Sequence, residues 1–278
     1  MLHDWIELGF LRRALIGGCL VAVSCGVLSP YVVLRRMAFA GHGLAHAAFG
    51  GAAIALLLGS SLVLGGALFA ILVAFLLAFW TRRGEVSEDS AIGILVTGSM
   101  ALGVVCLALR RGYTQDVFSF LFGSILAVLP ADLVFALVTS AVTLFCMVLF
   151  ARPLVSATFH EDLAKVEGVP VTALRFLLFV LVAVNVVAAM KLVGAILVSA
   201  LLVIPGSLAM LLARRFRAVQ ILSLCLGVAA VLAGMLLSYL LDLPSGAVIA
   251  LVLFLAYGVT RMILSVTRRR AHGPERNG

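Results

Sequence analysis

His42 and His46 are the residues in this chain best placed to do chemistry. They lie in Arg35-Arg36-Met37-Ala38-Phe39-Ala40-Gly41-His42-Gly43-Leu44-Ala45-His46-Ala47-Ala48-Phe49-Gly50-Gly51, a run apolar enough to enter a bilayer. Residues four apart share a helix face, so both imidazoles can reach one point. If the helix starts near Arg36, a rise of about 1.5 Å per residue puts His42 about 9 Å and His46 about 15 Å along it. A hydrocarbon core about 30 Å thick then holds His46 near its middle. Ionisable groups at that depth normally face a cavity or a partner. Two readings are open from the residues alone. The imidazoles handle a cation, or they hydrogen-bond neighbouring helices that Gly41, Gly43, Gly50 and Gly51 allow to come close.

The elements that must position this pair are membrane spans. Of 278 residues, 64% are hydrophobic and 12% charged, with a mean hydropathy of +1.25. A soluble domain is nearer half apolar and a quarter charged, so the expected class is an all-α polytopic membrane protein. The net charge of +8 comes from arginines clustered at the ends of apolar runs. That pattern belongs to membrane topology and argues against nucleic acid as a partner. Cys19, Cys25, Cys106, Cys146 and Cys225 all fall in apolar segments without a CxxC pair, and read as small buried hydrophobes. The N-terminus carries Asp4 and Glu7 in place of a basic n-region, so no cleavable signal is expected.

Runs near twenty residues predict eight to nine spans within one transmembrane domain covering 1–278. The candidates are 10–34, 37–58, 61–81, 90–109, 128–151, 171–190, 192–213, 217–240 and 244–266. The second is the least certain by pattern, being short, glycine-rich and interrupted by the histidines. The apolar piece 117–127 reads as a surface or re-entrant helix. With the C-terminus cytoplasmic and nine crossings, Arg12, Arg13, Arg110, Arg111 and Lys191 lie outside and the other fifteen of twenty basic residues inside. The positive-inside rule favours that orientation. It leaves 152–170 as the largest cytoplasmic loop and 267–278 as a basic cytoplasmic tail. Within the loop, Glu161 and Asp162 start a short helix that Gly168 and Pro170 end, which suits docking of another protein as well as it suits a solvated linker.

Five stretches resemble the membrane permeases of bacterial ABC importers for zinc, manganese or iron(II), the ABC-3 family. Val32 through Gly51 is similar to its "LRRM-x-GDALSHA-x-PG" segment, and Asp116 through Val128 to its "L-x-YLFG-x-ILAV" segment. Ala164 through Val169 fits the "A-x3-GV" core of its coupling loop. Val193 through Pro205 resembles "VG-x-LLVSALLVIP", and Leu241 through Gly246 its penultimate hairpin. They occur in the family's order over about residues 10–260, nearly the whole chain.

The resemblance implies a permease subunit of the bacterial plasma (inner) membrane that moves a divalent transition metal into the cytoplasm by alternating access. It assigns the cation to His42 and His46, and the coupling role to Glu161, Asp162, Ala164, Gly168 and Val169. It implies a homodimer of permeases, an ATP-binding-cassette ATPase dimer that binds the ATP, and an extracytoplasmic metal-binding protein. The family usually has Asp where this chain has His42. Losing a carboxylate removes a hard oxygen ligand, and imidazole suits zinc better than manganese, so zinc is the expected cargo, with manganese or iron(II) as alternatives.

Other polar residues are weaker candidates. Asn185 and Pro205 read as cavity or gate residues, or as a helix–helix hydrogen bond and a tolerated kink. Asp132 and Asp242, at outer span ends, read as contacts for cations or a delivery protein, or as helix-end stabilisers. No catalytic residue is expected. The chain has no GxxxxGK[ST] loop, and its two lysines, Lys165 and Lys191, follow no such glycine. The energy must then come from a separate subunit or an ion gradient. A proton-coupled secondary transporter, a cation channel and a structural scaffold are the rival classes; no inverted-repeat halves are visible to support the first.

Overall fold

Nearly every expected span folds as one uninterrupted helix, and the breaks fall where the sequence changes character. The computed structural model describes residues 9–82, 86–109 and 129–271. Its helices are α1 (Gly9–Leu34), α2 (Ala38–Leu57), α3 (Leu62–Thr81), α4 (Glu88–Leu109), α5 (Pro130–Leu149), α6 (Ala151–Phe159), α7 (Glu161–Val166), α8 (Val171–Val193), α9 (Ala195–Leu212), α10 (Phe216–Leu241) and α11 (Ser245–Ala271). No strand occurs among the described residues. Eight of these helices are long and apolar enough to cross a membrane, and Leu197–Leu212 is a shorter apolar helix. The segment 117–127 lies outside the described residues, as does the whole family-like stretch Asp116 through Val128.

The interhelical joints follow from residue type. At the end of α1, the Met37 N–H reaches the Val32 carbonyl at 2.8 Å and the Arg36 N–H the Val33 carbonyl at 3.1 Å. This Schellman closure puts Arg36 at φ +60°, in the left-handed region that glycine usually fills. α5 begins with Pro130 in its first turn, and the Asp132 carboxylate accepts the Leu129 N–H at 3.0 Å. α8 and α9 meet at Gly194 alone, whose φ of +87° and ψ of 159° admit glycine and little else.

The loop at 152–170 holds more structure than expected. After a bend at Phe150, α6 occupies 151–159, across the expected boundary between a span ending at 151 and a loop beginning at 152. Hydropathy does not separate it from α5, because Leu154 and Ala157 are apolar residues buried beneath it. α7 then covers Glu161–Val166. It closes with Val169 N–H on the Ala164 carbonyl at 2.9 Å and Gly168 at φ +79°.

α2 is the central helix, packed between α3 and α4 with α8 and α9 also against it. Its small residues make this possible. A Cβ at Gly51 would run into Phe69 Cβ and the Gly65 carbonyl of α3, and one at Gly50 would stand 2.5 Å from the Ser99 carbonyl of α4. Gly43 meets Ile92 and Gly41 meets Leu202 of α9 in the same way, each at 2.8 Å. Glycine serves here by letting backbones touch.

A second tight node joins α1, α9 and α10. Pro30 cannot donate to the Gly26 carbonyl one turn below, and the Ser223 hydroxyl of α10 donates to it instead, at 2.7 Å. The Gly206 N–H donates to Ser29 Oγ at 2.8 Å, and Gln220 Nε2 to the Tyr31 hydroxyl at 3.2 Å. Ser223 is fully buried. Ser223→Ala should therefore leave the Gly26 carbonyl unsatisfied and cost about 1–3 kcal/mol. Thermal unfolding of the purified protein in detergent checks this, and an unchanged midpoint would refute it.

Candidate functional site

The helix that carries the histidines aims them at each other. His42 Nε2 and His46 Nε2 are 3.1 Å apart, with ring centroids at 4.5 Å and planes nearly perpendicular. His42 is exposed and His46 half-buried, while Gly41, Gly43, Leu44, Ala45 and Ala47 between and beside them are buried. Packing on the other faces of α2 thus leaves one open face, and both imidazoles are on it. His46 lies nine residues into a twenty-residue helix, close to mid-span.

This spacing is suited to a metal. Two imidazole nitrogens bound at about 2.0–2.1 Å with tetrahedral angles are about 3.4 Å apart, a few tenths of an ångström more than observed. In the neutral pair one Nε2 must donate to the other; a cation would replace that proton and draw on both lone pairs. The donor set is incomplete for a closed site, since a tetrahedral zinc centre takes four ligands. Among the described residues no group of three or more His, Cys, Asp or Glu is arranged to hold a metal. His46 Nδ1 is buried and has no hydrogen-bond partner. Ligating histidines usually fix that second nitrogen on a carboxylate or carbonyl, and no described residue does so here. Spacing alone gave no signal of that.

The remaining candidates separate clearly. Asn185 is buried and donates through Nδ2 to Thr143 Oγ1 of α5 at 2.6 Å and to the Leu181 carbonyl at 2.7 Å. It joins α8 to α5 and does not line the histidine face. Asp132 uses one oxygen on the Leu129 N–H and the other on Lys191 Nζ, at 2.6 Å. Asp242 is exposed and ends α10 at φ +52°. Pro205 sits within α9 beside Gly206, at the contact with α1. Cys225 is exposed and Cys25 buried, so the expectation of buried cysteines holds unevenly.

α7 lies at the end of the bundle where α3 stops and α8 begins. Ala164 is buried, whereas Leu163 and Val166 are 54% and 86% exposed, an apolar pair three residues apart outside any span. Glu161 forms ion pairs with Lys165 at 3.0 Å and Arg175 at 3.3 Å. Partial burial pushes the Glu161 carboxyl up, but the Lys165 hydrogen bond and the Arg175 charge outweigh it and hold the group below its usual range. Asp162 is exposed and faces Lys165 at 3.6 Å. Gly168 is exposed and Val169 half-buried.

Residues 7–264 match the ABC 3 transport family. The chain belongs to that family. It is a multi-pass bacterial membrane protein and a permease subunit by family membership. A probable metal transport system membrane protein of Thermotoga maritima is 38% identical over 255 residues, covering 92% of this chain and 90% of the relative. The manganese transport system membrane protein MntC of Halalkalibacterium halodurans is 37% identical over 247 residues, covering 89% and 85%. Among solved structures, PsaBC from Streptococcus pneumoniae in complex with Fab superposes with a TM-score of 0.82 at 30% identity, covering 94% of this chain and 95% of that one. The ABC 3 fold therefore agrees with the expected architecture across the whole bundle.

Proposed function

We propose that this permease moves a divalent transition-metal cation into the cytoplasm by alternating access, driven by a separate ATP-binding-cassette ATPase. The observation that carries the reading is the pair of Nε2 atoms 3.1 Å apart on the open face of α2, within a membrane-length helix. Two such permeases around a two-fold axis would offer four imidazoles to a central path. A transported ion needs a site weak enough to leave, and two ligands per subunit, with no described partner fixing His46 Nδ1, suit that need.

The ATPase dimer would grip α7, whose exposed Leu163 and Val166 offer an apolar face outside the spans, framed by Glu161, Asp162, Gly168 and Val169. An extracytoplasmic binding protein would deliver the metal to the outer ends of the spans.

Two observations bear on which metal moves, and they point apart. Manganese appears in the name of the Halalkalibacterium relative, which matches over most of both chains. Two imidazoles without a carboxylate favour zinc on ligand chemistry. The relatives weigh more, and manganese is the leading cargo; zinc is the second reading because of His42. Uptake of each metal into vesicles holding the complete importer, alone and in competition, decides it. Manganese uptake little affected by equimolar zinc would support the first, and its near-complete suppression together with zinc uptake the second. No uptake of either metal would refute the function itself.

A further inference from the structure

α6 and α7 are joined to the bundle chiefly by arginines. The two short helices pack on each other more than on any span. Their apolar anchoring is slight: Leu154, Ala157 and Ala164 are buried, and most of the rest is exposed or half-exposed. Polar links supply what packing does not. Arg175, at the start of α8, donates through Nη1 to the Thr81 carbonyl at the end of α3, at 3.1 Å. Through Nη2 it reaches Glu161 of α7 at 3.3 Å. One guanidinium thus holds α7, α8 and α3 together, which its planar fork can do and a point charge cannot. Arg35, at the joint that leads into α2, donates through Nε to Thr158 of α6 at 3.1 Å.

Both arginines border one polar cavity of about 190 Å³, with Glu88 at the head of α4 on its wall. Arg35 Nη2 and Glu88 Oε2 are buried, opposite in charge and without a hydrogen-bond partner. Burial also lowers the Arg35 pKa, with nearby Arg175 adding to the effect.

We propose that Arg175 is the positioning residue that carries movement of α7 into the spans, with its Glu161 and Thr81 contacts as the two ends of the link. Displacing α7 pulls on Glu161, and through Arg175 on the end of α3. α3 is packed against α2 across the Gly51 contact, so the displacement reaches the helix that holds His42 and His46. The Arg35–Thr158 bond gives the α1–α2 joint a parallel tie to α6. Arg175 touches no cargo and acts only through these neighbours.

The proposal rests on the ATP-driven reading above, and its test keeps the two apart. The complete importer, with its ATPase subunits and binding protein, is reconstituted in vesicles, and metal taken up per ATP hydrolysed is measured. The Arg175→Gln importer should show a ratio about tenfold below wild type. Arg175→Lys, which can keep the Glu161 ion pair but not both contacts, should fall between them. Glu161→Gln removes the same link from a half-exposed position with little risk to folding. It should lower the ratio as well, and the Glu161→Gln/Arg175→Gln double variant should be no worse than Arg175→Gln alone. A wild-type ratio in Glu161→Gln and in Arg175→Gln would overturn the proposal and leave the function standing. Wild-type importer that shows no ATP-dependent uptake would overturn both.

Discussion

His46→Ala should reduce metal uptake by about 100-fold and His42→Ala by at least about tenfold, with the bundle intact. Loss of an outer partner of a metal ligand costs about 10–100-fold in affinity, and loss of the ligand itself should cost no less. His46 is set for the larger effect, being half-buried and near mid-span where water cannot replace it easily. Folding should hold, because neither ring is part of the close packing that α2 makes with α3 and α4. Uptake by reconstituted importer, alongside thermal unfolding, separates the two effects, and normal uptake in both single variants would remove the histidines from the transport path. The pair also predicts a pH profile. Neutral imidazole binds a cation and imidazolium does not, so uptake should fall as the pH drops. His42→Asp, which restores a carboxylate, should retain uptake and shift preference toward manganese.

Gly51→Val should do the reverse, leaving the histidine chemistry untouched and damaging the bundle. At that position an added Cβ meets Phe69 Cβ and, at 2.5 Å, the backbone carbonyl of Gly65. A flexible side-chain tip could move aside, whereas backbone cannot without separating α2 from α3. Overpacking of this sort typically costs about 1–3 kcal/mol, and two backbones in contact set the upper end. The expected result is a lower unfolding midpoint and poor recovery from membranes. A Gly51→Val protein that melts with wild type would show that α2 and α3 are farther apart than described.

The spans were legible because a bilayer demands long apolar runs and marks their ends with arginine; most helix ends fall within a few residues of the expected ones. The histidine pair was legible too, since i,i+4 spacing fixes a shared face whatever surrounds it. α6 was not, because nine residues with two buried apolar side chains look like the tail of the preceding span. Asp132 and Asn185 were ambiguous for a different reason. Sequence placed them at a span end and in a span, but only the partners, Lys191 and Thr143, show that both are spent on holding helices together. Arg175 carried no signal at all in the sequence beyond its charge. Its contacts reach Thr81 and Glu161, 94 and 14 residues away. Long-range polar links of that kind leave no periodic trace.

Gly194 has a practical consequence for anyone inserting a tag or label into this protein. It closes α8 and opens α9 at once, so there is no connecting segment there to absorb added residues. An insertion would have to unwind one helix or the other, and hardly any other residue type accepts the backbone angles. Gly59, between α2 and α3, also has positive φ but open space around it. The turn at 58–61 is therefore the place to lengthen, and the junction at 194 the place to leave alone.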